Sequence, residues 1–170
     1  MRDSEDFDAF YAASSRRVLS HVSAMVGSQS DAEDAVAEAY LKAWKRWTQV
    51  RQYGSPEAWV RTVAYRNAVS TWRKAVNRLR AHHRDTVEQE VEALNPNHVA
   101  IVAALRQIPA DQRRAVVLHH LVGLSVAEIA QETGTAPGTV TSWLSRGRRA
   151  MADHLADEHS STAGQERRDA

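Results

Sequence analysis

The chain predicts an all-α protein of two small helical domains joined by a short linker, the C-terminal one carrying a helix-turn-helix. Three observations lead there. Apolar residues recur at helical steps along most of the 170 residues, and no stretch alternates with the two-residue period of a strand. Between about Arg80 and Asn97 that pattern loosens, and Asn95-Pro96-Asn97 punctuates the chain. Further on, Gly123 to Arg149 reads as two short helices joined by a glycine turn, the second ending in arginines.

The first helix is expected from about Asp3 to Val26, with Phe7, Phe10, Tyr11, Val18, Val22, Met25 and Val26 at helical spacing. Gly27-Ser-Gln-Ser breaks it. Asp31 is read as opening the second, with Glu33 and Asp34 in the first turn, where acids favour the positive end of the helix dipole. Ala32, Val36, Ala39, Tyr40, Ala43, Trp44 and Trp47 form its expected buried stripe. A loop around Gln49–Gly54 follows. Ser55-Pro56-Glu57 then starts a third helix, a cap residue followed by proline at the first helical position, running to roughly Arg78. A second helical unit holds His98–Gln107, then Ala110–Val122 opened by Pro109, then the helix-turn-helix. Residues after about Leu155 are polar and charged and read as a disordered tail. The expected division is therefore 1–80, a linker at 81–97, a second domain at 98–155 and a tail at 156–170.

The helix-turn-helix can be assembled residue by residue. Ser125 and Glu128 form a capping box, so a helix begins at Val126, with Val126, Ile129 and Ala130 on its apolar face. Gly134 suits the left-handed conformation that ends such a helix, and Pro137 suits the first turn of the next. Val140 and Leu144 point to the core. Thr141, Ser142, Ser145 and Arg146 take the other face, with Arg148 and Arg149 behind them. Hydroxyls and arginines in that position can meet base edges and phosphates of duplex DNA. An ordinary helical hairpin with a solvated basic face is the plainer alternative.

The net charge of +1 conceals blocks of one sign. Residues 1–50 carry six Lys and Arg against eight Asp and Glu, and residues 51–84 carry eight against one. Residues 85–97 carry none against four, as a linker would. The basic block coincides with the third helix, where Trp59, Tyr65 and Trp72 interleave with Arg61, Arg66, Arg73, Lys74 and Arg78. Aromatics beside arginines hold unpaired bases by stacking on a charged track, although tryptophans taken singly are more often core. There is no cysteine, which excludes disulfides, thiolate metal sites and thiol chemistry. Met1–Phe7 is acidic without the apolar run of a signal peptide, and no stretch approaches the roughly eighteen apolar residues of a membrane span. A cytoplasmic protein without membrane insertion is expected.

On these motifs the chain resembles the extracytoplasmic-function, or group IV, sigma factors of bacterial RNA polymerase, from Phe7 to Leu155. Asp31-Ala-Glu-Asp-Ala-Val-Ala-Glu-Ala-Tyr-Leu-Lys-Ala-Trp44 is similar to the region 2 helix that docks on the β′ coiled coil. The resemblance implies docking through Asp31, Asp34, Glu38, Tyr40, Leu41 and Trp44. Pro56 to Lys74 is similar to the part of region 2 that opens and reads the −10 element, which implies Trp59, Arg61, Tyr65, Arg66, Asn67, Trp72, Arg73 and Lys74. Leu105 to Arg149 is similar to region 4, which reads the −35 element and meets the β flap. It implies Thr139, Thr141, Ser142, Ser145, Arg146, Arg148 and Arg149. Core RNA polymerase, promoter DNA and an anti-sigma protein are the implied partners, with no cofactor and no metal. Four positions depart from the family pattern: Ala37 replaces a usual Gln, Arg66-Asn67 shifts an Asn by one step, Ala136 replaces a Ser cap, and Trp143 stands where a polar residue is frequent.

Two other classes compete. A stand-alone repressor would use residues 1–75 as a sensor and predicts a dimer on a palindromic operator. An enzyme would need a site; the pairs His82-His83 and His119-His120 are the nearest approach, but adjacent helical residues point about 100° apart and do not chelate as i,i+4 pairs do.

Overall fold

A computed structural model describes residues 2–81 and 96–166, with side chains described for residues 4–72 and 100–156. Every element among them is a helix. The chain divides into two compact units, Met1–Glu90 and Val91–Ala170.

The first unit holds α1 (Arg2–Val26), α2 (Gln29–Lys45), the single turn α3 (Trp47–Val50) and α4 (Pro56–Ala81). Gly27 leaves α1 with φ 82°, in the left-handed region that favours glycine. Ser28 then caps α2, its Oγ accepting from the Asp31 amide at 3.4 Å. So α2 begins two residues before Asp31, because the capping oxygen comes from Ser28 and Asp31 lies inside the first turn. At α4 the reading holds: Ser55 Oγ accepts from the Ala58 amide at 3.2 Å and Pro56 is the first helical residue. Helices α1, α2 and α4 pack mutually. Val18, Val22 and Met25 of α1, the small Ala32, Ala39 and Ala43 of α2, and Val60, Ala64 and Ala68 of α4 are all buried in this bundle. The alanine stripe lets three helix backbones approach closely.

The expected stripe of α2 fails at its end. Trp47 has left α2 for α3, where it is buried and stacks on Phe10 at 5.0 Å between ring centroids. Trp44 stays on α2 and is 44% exposed. Tyr40 and Ala43 already occupy the inward side, and Trp44 falls past its edge.

The second unit holds α5 (Pro96–Gln107), α6 (Ala110–His120), α7 (Val126–Thr133) and α8 (Pro137–Glu166), with α8 packed on the other three. Leu105, Ile108, Val117, Leu118, Ile129, Val140 and Leu144 are among its buried apolar residues. Helix α6 stops at His120 rather than Val122. The Leu121 and Val122 amides both reach the Val117 carbonyl, Gly123 turns at φ 82°, and the Leu124 amide bonds the Leu118 carbonyl at 3.0 Å. At the other end, α8 continues to Glu166, through most of the segment expected to be disordered. No proline follows Pro137, and an established helix extends at little cost where nothing breaks it.

Gly147 sets the spacing of α6 and α8. A Cβ there would lie 2.8 Å from Val116 Cγ2, on a β-branched side chain with little rotamer freedom. Gly147→Ala is therefore expected to cost about 1–3 kcal/mol. Chemical denaturation should show it as a lower midpoint at an unchanged slope, and an unchanged midpoint would mean that α8 moves aside freely.

Candidate nucleic-acid and docking surfaces

The turn between α7 and α8 is built as its sequence requires. Ser125 Oγ accepts from the Glu128 amide at 3.3 Å, and Glu128 Oε2 accepts from the Ser125 amide at 2.8 Å and from its hydroxyl at 2.7 Å. Those bonds favour the ionised carboxylate, so Glu128 is held below the ordinary Glu range. Gly134 takes φ 69°, its amide closing on Ala130. The Ala136 carbonyl accepts from Thr139 and Val140, at 3.0 and 3.2 Å, so α8 starts without a side-chain cap. Val140 and Leu144 turn inward with Gly147, whereas Thr139, Thr141, Ser145, Arg146, Arg148 and Arg149 are exposed and Ser142 is half-buried. Every residue expected on this face therefore reaches solvent. Thr141 donates to the Pro137 carbonyl at 3.1 Å and Arg148 Nε to the Leu144 carbonyl at 3.3 Å, which holds both side chains along the helix. Trp143 is half-buried, at the edge of the face.

Helix α4 keeps fewer of the expected contacts. Trp72 is 60% exposed and Arg66 is exposed. Trp59 is half-buried, its ring 6.4 Å from Tyr53, an exposed aromatic in the preceding loop that sequence reasoning passed over. Arg61 is only 3% exposed and Tyr65 is buried, so neither presents a side chain to a strand lying on α4. For Arg61 a signal existed: Glu57 stands four residues earlier, the spacing of a helical ion pair, and the two charges interact. Asn67 is half-buried, its Oδ1 accepting from Lys42 Nζ of α2 at 3.0 Å, and the same ammonium lies 2.7 Å from Glu38. Arg73 and Lys74 lie on α4 outside the described side chains.

On α2, Asp31, Asp34, Glu38, Leu41 and Trp44 are all exposed. Their spacing of three, four, three and three residues keeps them along one side of the helix. Leu41 is 52% exposed, a large apolar group where a solvated face would carry a polar one. Tyr11 of α1 extends this apolar surface, exposed but packed edge-on against Tyr40 at 4.9 Å. Tyr40 itself does not belong to the surface. It is buried, and since Ser14 gives its only proton to the Phe10 carbonyl, the Tyr40 hydroxyl donates to Ser14 Oγ at 2.8 Å. Burial pushes its phenol up to about 12. No local signal marks this bond, whose partners are twenty-six residues apart.

Among the described residues no three potential metal ligands come together, and His82-His83 lies outside them. No helix there is long and apolar enough to cross a membrane.

The family models for Sigma-70 region 2 and Sigma-70, region 4 match residues 10–78 and 98–151, one in each unit. The ECF RNA polymerase sigma-E factor of Escherichia coli K12 is 31% identical over 172 residues, covering 88% of this chain and 86% of that protein. The chain belongs to the ECF sigma factors. The ECF sigma factor SigE of Mycolicibacterium smegmatis is 33% identical, over 81% of this chain and 56% of its own. The chain spans about half to three-fifths of the length of this and two further curated relatives. In fold it is similar to the sigma factor RpoE of Bartonella quintana, solved with the anti-sigma factor NepR, at a TM-score of 0.81 and 23% identity over 89% of this chain and 98% of that one.

In this sigma factor one ion pair ties α1 to α4. Arg17 Nε donates to Glu57 Oε1 at 2.9 Å, and its Nη2 donates to Oε2. The Arg17 hydrogen bond is the main cause that holds Glu57 below the usual carboxylate range. A depressed folded-state pKa contributes stability above the unfolded-state value, lost as pH falls through the folded one. Glu57→Gln is therefore expected to lower Tm modestly near neutral pH, with the gap to wild type closing in acid below the ordinary Glu range. Thermal melts across that window check it; a gap that persists in acid would assign the loss to packing.

Proposed function

We propose that this chain directs core RNA polymerase to specific promoters. The observation that carries the reading is α8: its inner side is closed by Val140, Leu144 and Gly147, while hydroxyls and arginines line its outer side. Such a helix, set by a capped α7 and a glycine turn, is built to lie in a major groove. On this reading Thr139, Thr141, Ser142, Ser145, Arg146, Arg148 and Arg149 meet the −35 element. Arg66, Trp72, Arg73, Lys74 and the half-buried Trp59 and Asn67 act at the −10 element, with stacking on exposed rings holding unpaired bases as the duplex opens. Arg61 and Tyr65 serve from inside, by shaping α4.

The apolar and acidic side of α2, from Asp31 through Asp34, Glu38 and Leu41 to Trp44, is assigned to the β′ coiled coil, and the second unit to the β flap. An anti-sigma protein competes for the α2 surface; a sigma factor of similar fold is solved in complex with an anti-sigma factor. The role is binding rather than catalysis, it needs no cofactor, and it is carried out in the cytoplasm.

Arg146→Ala tests the DNA assignment. Loss of an arginine that reads a base is expected to weaken promoter binding by the reconstituted holoenzyme by about 1–3 kcal/mol and to relax preference at one −35 position. Binding competition over a set of −35 substitutions reads both. A uniform loss across all sequences would reassign Arg146 to phosphate.

A further inference from the structure

The histidine pair at the end of α6 is unused by this reading and sits beside the DNA face. His119 is half-buried, and its Nδ1 donates to the Leu124 carbonyl at 2.8 Å, spanning the turn that leads into Ser125 and α7. Because a carbonyl only accepts, Nδ1 supplies the proton of this bond. His120 is exposed and packs edge-on against His119, ring centroids 4.8 Å apart. From α8, Gly147 packs against Val116, one helical turn before His120, which brings the exposed Arg148 alongside the end of α6. Arg148 is close enough to disfavour a charge on His120.

On α8, Arg148 lies about 20° around the helix from Thr141, at the margin of the outward face. Through Arg148, His120 of the neighbouring helix is tied to the margin of the groove-facing side. A ring and a guanidinium from two helices, both exposed at the rim of a DNA-reading surface, fit a single anionic group between them.

We propose that His120 and Arg148 together grip a backbone phosphate of promoter DNA beside α8, and that His120 takes up a proton from solvent as it does so. The inference rests on the promoter-binding reading above. Among the described residues, the charged or titratable groups that act on His120 are His119 from its own helix and Arg148 from α8. Partial desolvation on its packed side, then His119, then Arg148 hold its pKa below the ordinary value, which disfavours the charged ring near pH 7. A phosphate reverses the balance, since it offsets the guanidinium charge and accepts from the imidazolium. DNA binding is then linked to protonation, and mild acid tightens it.

The test measures holoenzyme binding to a promoter duplex from about pH 7.5 to about pH 6 at fixed ionic strength, for the wild-type chain and His120→Gln. The wild type is expected to bind up to about tenfold tighter at the acid end, and His120→Gln to lose that gain with its melting temperature unchanged. At about pH 6 the salt dependence of wild-type binding should also be steeper by roughly one counterion, the mark of one more phosphate contact. His120→Lys should bind like the acid form at every pH. Promoter binding with the same pH response in His120→Gln overturns the phosphate grip and leaves the sigma reading standing. No promoter-specific binding at any pH overturns both.

Discussion

Trp44→Ala is expected to weaken binding to core RNA polymerase by about 2 kcal/mol, roughly thirtyfold, and Leu41→Asp by at least as much. Both side chains are large, apolar and about half exposed on a helix side otherwise lined by carboxylates. An exposed apolar patch rimmed by charge is the usual mark of an interaction surface. Tryptophan in a pocket rimmed by charge is a frequent centre of interface energy, and an aspartate at position 41 would carry an unpaired charge into that contact. Trp44 packs on Phe7 at 5.0 Å, so its truncation also removes some intramolecular contact. Leu41→Asp separates the two effects, because it leaves that ring cluster alone. Titration of core polymerase with a fluorescent form of the chain, alongside thermal melts, reads both quantities. Unchanged affinity with unchanged melting would remove this side of α2 from the docking surface.

Leu118→Ala should cost the second unit about 2–5 kcal/mol. Leu118 is fully buried on α6, which packs on α7 and α8, where Ile129, Val140 and Leu144 are buried too. For a unit of this size that is a large share of the whole stability. The loss should be confined: amide exchange is expected to rise throughout α5 to α8 while α1, α2 and α4 keep their protection, since each unit has its own core. Promoter selection through the −35 element should fall with it. Equal loss of protection in both units would contradict independent folding.

The helix-turn-helix was nearly complete in the sequence because its determinants are local. Ser125, Glu128, Gly134 and Pro137 each act within one turn of where they stand, and the structure places each as read. The start of α2 was misplaced for an equally local reason: both Ser28 and Asp31 are residues that cap, and composition does not choose between them. What periodicity did not settle was the side of a helix that carries function. Tyr40 and Trp44 stand four residues apart on α2; the spacing predicts burial for both, and the family resemblance implies docking through both. One closes on Ser14 inside the core and the other faces solvent, because the inward stripe is set by α1 and α4, far away in sequence. Arg61 shows the same limit on α4. A basic residue among aromatics reads as a nucleic-acid contact, yet Arg61 is buried, its charge acting on Glu57 one helical turn earlier.

The measurement that reaches furthest is run-off transcription from genomic promoter fragments with purified core RNA polymerase, with and without this protein. Discrete start sites that appear only when the chain is present, with shared sequences near −35 and −10, are the expected result. No start sites, together with tight binding of the chain alone to a palindromic duplex, would contradict promoter delivery and make it a stand-alone regulator.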